Sequence, residues 1–181
     1  MSDSTALTNA IAGPLTAVRR REEVLTLTTL LPMSQQEVWT ALTDPNALAK
    51  WSPIIPDRPL VAEGTATSRE HPAAAPVDAT VVEAREPWYL EHHWGGDVVG
   101  WQLAPSGEGT QVNLVHQLAR PESAIDTAAG WHVCLTVLAL QAAGEQVERC
   151  VGDDALDLDW DALRARYAEV IPDPATEDDQ A

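Results

Sequence analysis

With 181 residues, 45% hydrophobic and 22% charged, the chain has a globular composition and the length to bury a full core. Its formal net charge of −17 argues against a phosphate backbone or an anionic bilayer as partner, which sets aside nucleic-acid and membrane binding. The excess sits late, with ten acids against two arginines from Gly152 to Ala181, and the one basic cluster, Arg19-Arg20-Arg21, is offset at once by Glu22-Glu23.

Residues 1–13 lack the charged start and apolar run of a signal peptide and are expected to be unstructured, with the protein in the cytoplasm. One domain is expected over 14–171. β-Branched residues and leucines mark a first strand at Leu15–Val18 and more strongly at Val24–Leu31, ended by Pro32. Ser34-Gln35-Gln36-Glu37 is a capping box and predicts a short helix from about Gln35 to Leu42, with Val38, Ala41 and Leu42 inside and Trp39 at the edge. Asp44-Pro45 starts a second short helix with Leu48 and Trp51 inward. Leu60–Arg69 reads as a poor strand broken by Gly64, followed by a proline-bounded loop at His71–Pro76. Strands at Val77–Arg85, Trp88–Trp94, Val98–Ala104 and Thr110–Leu118, joined by short turns, predict an antiparallel meander.

Ile125–Gly144 then reads as a long helix. Trp131, Cys134, Leu135 and Leu138 recur at i, i+3, i+4 and i+7 on one face, and His132 and Thr136 fall on the other, outward side. Ser123 is a capping start and Gly144 a C-terminal stop. No window is read as reaching the roughly 20 apolar residues of a membrane span. Cys134 reads as a small buried hydrophobe, and with Cys150 it makes neither a disulfide framework nor a CxxC site. A polar loop, Glu145–Asp159, has one apolar contact at Val151. A helical extension from about residue 152 ends in a helix near Asp159–Val170, docked through Leu156, Trp160, Leu163 and Tyr167. Residues 172–181 form an acidic tail expected to be disordered.

Several of these segments carry a family resemblance. They are Val38-Trp39-Thr40-Ala41-Leu42-Thr43-Asp44-Pro45 with Leu48 and Trp51, the Glu86-Pro87 turn with Leu90 and Trp94, Gly107-Glu108-Gly109-Thr110 before Val112-Asn113-Leu114, and Gly130-Trp131. In order and spacing they resemble the START-like (SRPBCC) superfamily and, more narrowly, bacterial proteins related to the activator of a heat-shock chaperone ATPase. The resemblance spans roughly residues 15 to 144. It implies an α+β helix-grip fold: a curved antiparallel sheet wrapped around a long C-terminal helix, two short helices after strand one, and here an extra C-terminal helix. Tryptophans stand where such proteins often line their strands with phenylalanine, of which this chain has none.

Strand parity then nominates a ligand-binding set. Leu90, His92 and Trp94 share one face of their strand, Val99, Trp101 and Leu103 of the next, and Val112, Leu114 and His116 of the last. Trp131, Leu135 and Leu138 oppose them, with Trp51 close by. The expected site is a tryptophan-rich pocket between sheet and helix with His92 and His116 about 10 Å apart, one strand between them. Each histidine has two readings: a group that orients or protonates an apolar ligand, or a satisfied core residue. Singly the second is favoured; together the ligand reading gains. His92-His93 face opposite sides of a strand and cannot share a metal ion, no HxxxH or HExxH occurs, and neither metal nor cofactor is expected. No GxSxG or Cys–His motif supports a nucleophile.

Three functions stay open. One is binding of a small hydrophobic molecule, aromatic or lipid-like. The second is a cyclase/dehydratase- or hydrolase-like enzyme using His92 or His116 as acid or base. The third is a co-chaperone or other protein-interaction module. Both monomer and homodimer fit the sequence.

Overall fold

A computed structural model describes residues 3–13 and 17–171. Leu15 and the acidic tail over 172–181 lie outside the described residues. The chain begins with helix α1 (Asp3–Ile11), strands β1 (Ala17–Arg21) and β2 (Val24–Leu31), and the short helices α2 (Gln35–Thr43) and α3 (Pro45–Leu48). Seven strands follow: β3 (Ile55–Pro56), β4 (Thr67–Arg69), β5 (Val77–Asp78), β6 (Val81–Arg85), β7 (Tyr89–Trp94), β8 (Asp97–Ser106) and β9 (Gly109–Gln117). The long helix α4 (Ala124–Ala142) enters through a 3-10 turn at Pro121–Ser123, and a second 3-10 segment, Gly152–Asp157, leads to α5 (Trp160–Val170).

The main sheet has the order β1-β2-β9-β8-β7-β6 with every neighbouring pair antiparallel. β2 and β9 therefore pair across about half of the chain length, and α4 crosses the inner face of the sheet. This is the expected helix-grip arrangement. Residues expected in one first strand form a hairpin of two, β1 and β2, turning at Glu22-Glu23. The poor strand at Leu60–Arg69 survives only as Thr67–Arg69, in a small separate sheet with β3 and β5. Val77–Arg85 is split between the two sheets, with a register shift between Val81 and Glu83. Gly64 and a chain of small side chains leave too little apolar area there to hold a long ladder.

The helix signals work by the chemistry that announced them. The Ser34 hydroxyl accepts from the Glu37 backbone N–H while the Glu37 carboxylate accepts from Ser34 N–H at 2.8 Å, and Asp44 Oδ1 caps Ala47 N–H at 2.9 Å. Trp39, expected at an edge, is buried. At the end of α4, Gly144 adopts φ +88°, and Glu145 N–H and Gly144 N–H return to the carbonyls of Leu140 and Gln141, both at 3.0 Å. Ser123 does not cap α4; its hydroxyl bonds the Arg120 carbonyl within the preceding turn.

Two expectations fail around α4 for one reason: the helix is covered on both sides. Residues 1–13 are not unstructured throughout, because Asp3–Ile11 is helical and buries Leu7 and Ile11. His132 is not outward-facing and solvated but 2% exposed, with the Tyr167 hydroxyl of α5 2.7 Å from its Nδ1. Arg166 of α5 donates to the Ile11 carbonyl at 2.9 Å, tying the two flanking helices together. Within Pro121–Ala142 an apolar window reaches a mean hydropathy of 1.3, so length and composition alone would let it cross a bilayer, contrary to the sequence reading; 56% of that window is buried in the fold, as befits a core helix.

The loop after α4 is also less polar in packing than in sequence. Val147, Cys150, Ala155 and Leu158 are all buried, whereas Leu156, expected to dock, is exposed. Arg149 pins this segment across the small sheet by donating to the carbonyls of Ser52 at 2.7 Å and Glu70 at 2.6 Å.

Candidate functional site: a tryptophan core and the cavity beside it

Parity brings the nominated residues together, and α4 meets the strands that the sequence assigns to it. Trp131 lies with its ring centroid 5.3 Å from Trp101 at 90°, 5.7 Å from Trp94 at 61°, 6.5 Å from Trp51 and 6.2 Å from His116. Trp51 and Trp101 are edge to face at 6.1 Å, so four indoles form one contiguous cluster in geometries that aromatic pairs favour. Around it Leu90, Val99, Leu103, Val112, Leu114, Leu135 and Leu138 are all buried. These side chains fill the space between sheet and helix and form the core itself, where the sequence reading had them lining a ligand pocket.

His92 and His116 both pair in register with Val99, one strand apart as expected. Each is locked as a neutral ring, in opposite tautomers. His92 Nδ1–H donates to the His93 carbonyl at 2.8 Å, and its Nε2 accepts from Trp101 Nε1–H at 3.4 Å. His116 Nδ1 accepts from Trp131 Nε1–H at 2.9 Å, which leaves Nε2–H to donate to Asp97 Oδ2 at 2.8 Å. Burial pushes His92 down to about 4, and it also lowers His116, against the opposing pull of Asp97. With both nitrogens of each ring engaged, neither has a lone pair or proton to offer a substrate.

The thiols are equally passive. Burial raises Cys134 to about 12 and Cys150 to about 11, far from the thiolate that nucleophilic attack needs. Among the described residues no group of three or more His, Cys, Asp or Glu is placed to hold a metal ion.

Open space lies at one end of the tryptophan cluster. A cavity of about 700 Å³ sits between the β7–β8 turn, the chain after β9, the first half of α4, and the Cys150–Trp160 segment. Trp94, Trp131 and Trp160 give it aromatic walls; Glu70, Asp97, Arg120, Ser123, Asp126 and Thr127 supply its polar groups. Of the nominated ligand set only Trp94 and Trp131 line it. Asp97 is the hinge between core and cavity: its Oδ2 accepts from buried His116, its Oδ1 accepts from Ala119 N–H at 2.8 Å, and its side chain is 25% exposed. Asp126, in the first turn of α4, is bound by Arg164 of α5.

The family description "Activator of Hsp90 ATPase homolog 1-like protein" matches residues 32–142, from the residue after β2 to the last residue of α4. The chain belongs to that family. Solved structures give the same fold at low identity. CalU16 from Micromonospora echinospora is 19% identical with a TM-score of 0.63, covering 85% of this chain and 95% of its own. EF2215 from Enterococcus faecalis is 16% identical with a TM-score of 0.65, over 93% of this chain and 96% of its own. The protein encoded by BPP1335 of Bordetella parapertussis is 23% identical with a TM-score of 0.63, over 89% and 93%. Among curated proteins none matches. The helix-grip fold of the SRPBCC superfamily is thus common to this activator-like chain and its structural neighbours.

The matched family segment ends at 142, whereas Cys150, Val151, Gly152, Ala155 and Trp160 of the cavity wall lie beyond it. In this activator-like chain the segment after α4 therefore completes the cavity. Asp97 had a readable signal: Trp94-Gly95-Gly96-Asp97 is a two-residue hairpin, and Trp94 and Asp97 pair directly, so both face inward. Glu70 and Arg120 had none, since they come from a loop and a strand exit whose positions depend on distant contacts.

Proposed function

We propose that this protein binds a small, mostly apolar organic molecule in the cavity at the end of its tryptophan cluster. The observation that carries this reading is a space of about 700 Å³ walled by Trp94, Trp131 and Trp160, within the roughly 300–1,000 Å³ typical of ligand pockets. Apolar walls supply affinity, and the few polar groups at one side supply orientation. A binding role is favoured over catalysis by the locked state of His92 and His116 and by the raised thiols, which leave no activated acid, base or nucleophile among the nominated residues.

Intrinsic fluorescence tests it directly, because three of the seven tryptophans line the cavity. Titration with a panel of polycyclic aromatic and long-chain ligands should quench or shift emission and raise the melting temperature. A ligand at one hundred times its Kd adds about 2.7 kcal/mol. Trp160→Ala, on the wall and outside the core cluster, should weaken binding while the fold persists. If no member of such a panel alters fluorescence or melting, the reading is wrong.

A further inference from the structure

The charge at the aromatic corner narrows the ligand class. Asp97 stands directly across the β7–β8 hairpin from Trp94, on the same face of the sheet. Both of its hydrogen-bond donors are neutral: the Ala119 backbone N–H and the Nε2–H of His116, whose other nitrogen is held by Trp131. No lysine or arginine among the described residues pairs with this carboxylate, and it sits one quarter exposed at the cavity wall against the Trp94–Trp131 corner. Asp126, by contrast, already has its counter-charge in Arg164. Glu70 adds a second carboxylate to the wall. Arg120 is the one basic side chain there, and no ion pair joins it to Asp97 or to another of the described residues. An indole corner next to an uncompensated carboxylate is the chemistry that recognises an organic ammonium: the ring faces attract the cation, and the carboxylate fixes it.

We infer that the ligand is a hydrophobic amine, bound with its apolar body against Trp94, Trp131 and Trp160 and its ammonium at Asp97. This rests on the binding reading above and adds the charge of the ligand to it. Arg120 then acts against the bound cation and sets an upper limit on affinity.

Three probes with one ring system separate the possibilities by calorimetry at low salt: 1-naphthylmethylamine, 1-naphthylmethanol and 1-naphthoate. The amine should bind about tenfold more tightly than the alcohol, and the naphthoate most weakly, with the preference for the amine shrinking as salt is added. Asp97→Asn should remove most of the amine's advantage and leave the alcohol unchanged. Arg120→Ala should strengthen amine binding several-fold. Because the amide introduced by Asp97→Asn satisfies only one of the two donors that the carboxylate accepts from, the melting curve of that variant is checked; should it fail to fold, Glu70→Gln, outside that bonding chain, should still lower amine affinity two- to threefold. Equal affinity for amine and alcohol, or tighter naphthoate binding that Arg120→Ala abolishes, overturns the inference and leaves the binding reading standing. Binding of none of the three overturns the inference, and the binding reading falls with it when the wider panel of aromatic and long-chain ligands also fails.

Discussion

Two histidines buried as neutral rings make the fold acid-sensitive by a calculable amount. Burial holds His92 at about 4, and burial with the charge of Arg166 nearby holds His132 at about 4, whereas an unfolded imidazole titrates near 6.5. Between those values the unfolded chain binds protons that the folded chain refuses, so stability rises with pH in this window and is lost as pH falls through it. At about 1.4 kcal/mol per pH unit, each ring accounts for about 3 kcal/mol between pH 6.5 and 4, and the two together for a slope of roughly 2.5 kcal/mol per unit. His116 is lowered as well and adds in the same direction. Urea unfolding at pH 7, 6 and 5 measures it, in a range where most carboxylates stay ionised and self-repulsion is nearly constant. His132→Phe should lower stability at pH 7, because the Tyr167 hydroxyl loses its acceptor, and should flatten the slope by about 1.4 kcal/mol per unit. Constant stability from pH 6.5 to 5, or an unchanged slope in His132→Phe, would refute the assignment of these rings as neutral.

Other substitutions probe the remaining contacts. A Cβ on Gly109 would lie 2.3 Å from the Leu31 carbonyl oxygen at the β2–β9 border, so Gly109→Ala should cost about 1–3 kcal/mol in urea unfolding and loosen the β8–β9 hairpin. Trp131→Phe removes the N–H that occupies His116 Nδ1. The unsatisfied acceptor should cost about 1–3 kcal/mol, and the His116 titration followed by NMR should move upward as Asp97 draws a second proton to the ring. Leu7→Ala should cost about 2–4 kcal/mol, as for a core leucine; a neutral result would show that α1 is not docked on α4.

Periodicity made most of the fold legible. The Ser34–Glu37 capping box, the alternation along β7, β8 and β9, and the Trp131-Cys134-Leu135-Leu138 stripe are local signals, and each is realised by the contact that it predicts, whereas the Ser123 capping start is not. The other failures were non-local. His132 looked outward because a helix wheel has no knowledge of a third layer, and here that layer comes from α1 and α5 at opposite ends of the chain. The candidate site shows the same limit. Parity assembled Trp94, Trp101, His116 and Trp131 correctly, but whether inward side chains leave a gap depends on how well their volumes fill the space. Here they fill it, and the gap opens at the end of the cluster, where the 3-10 segment Gly152–Asp157 and the first residue of α5 form the far wall.

Gly130, one position before Trp131, borders that gap without a side chain to fill it. A Cβ built on Gly130 meets nothing within 4 Å, although the residue lies in the middle of α4 and lines the cavity. Glycine in a helix interior is about 0.5–1 kcal/mol worse than alanine, and no positive φ or close contact requires it there. Stability alone would thus favour replacing it, so the glycine is best explained by the space it leaves. Gly130→Ala should raise the stability of the unliganded protein by up to about 1 kcal/mol and reduce affinity for an aromatic ligand modestly. Gly130→Leu, with a side chain directed into the cavity, should fold and abolish binding. Thermal melts paired with fluorescence titrations would separate the two effects. If Gly130→Leu binds as the wild type does, the ligand does not occupy this cavity, whatever else the tryptophans report. If both variants lose stability, the space is not empty, and the proposed binding site goes with it.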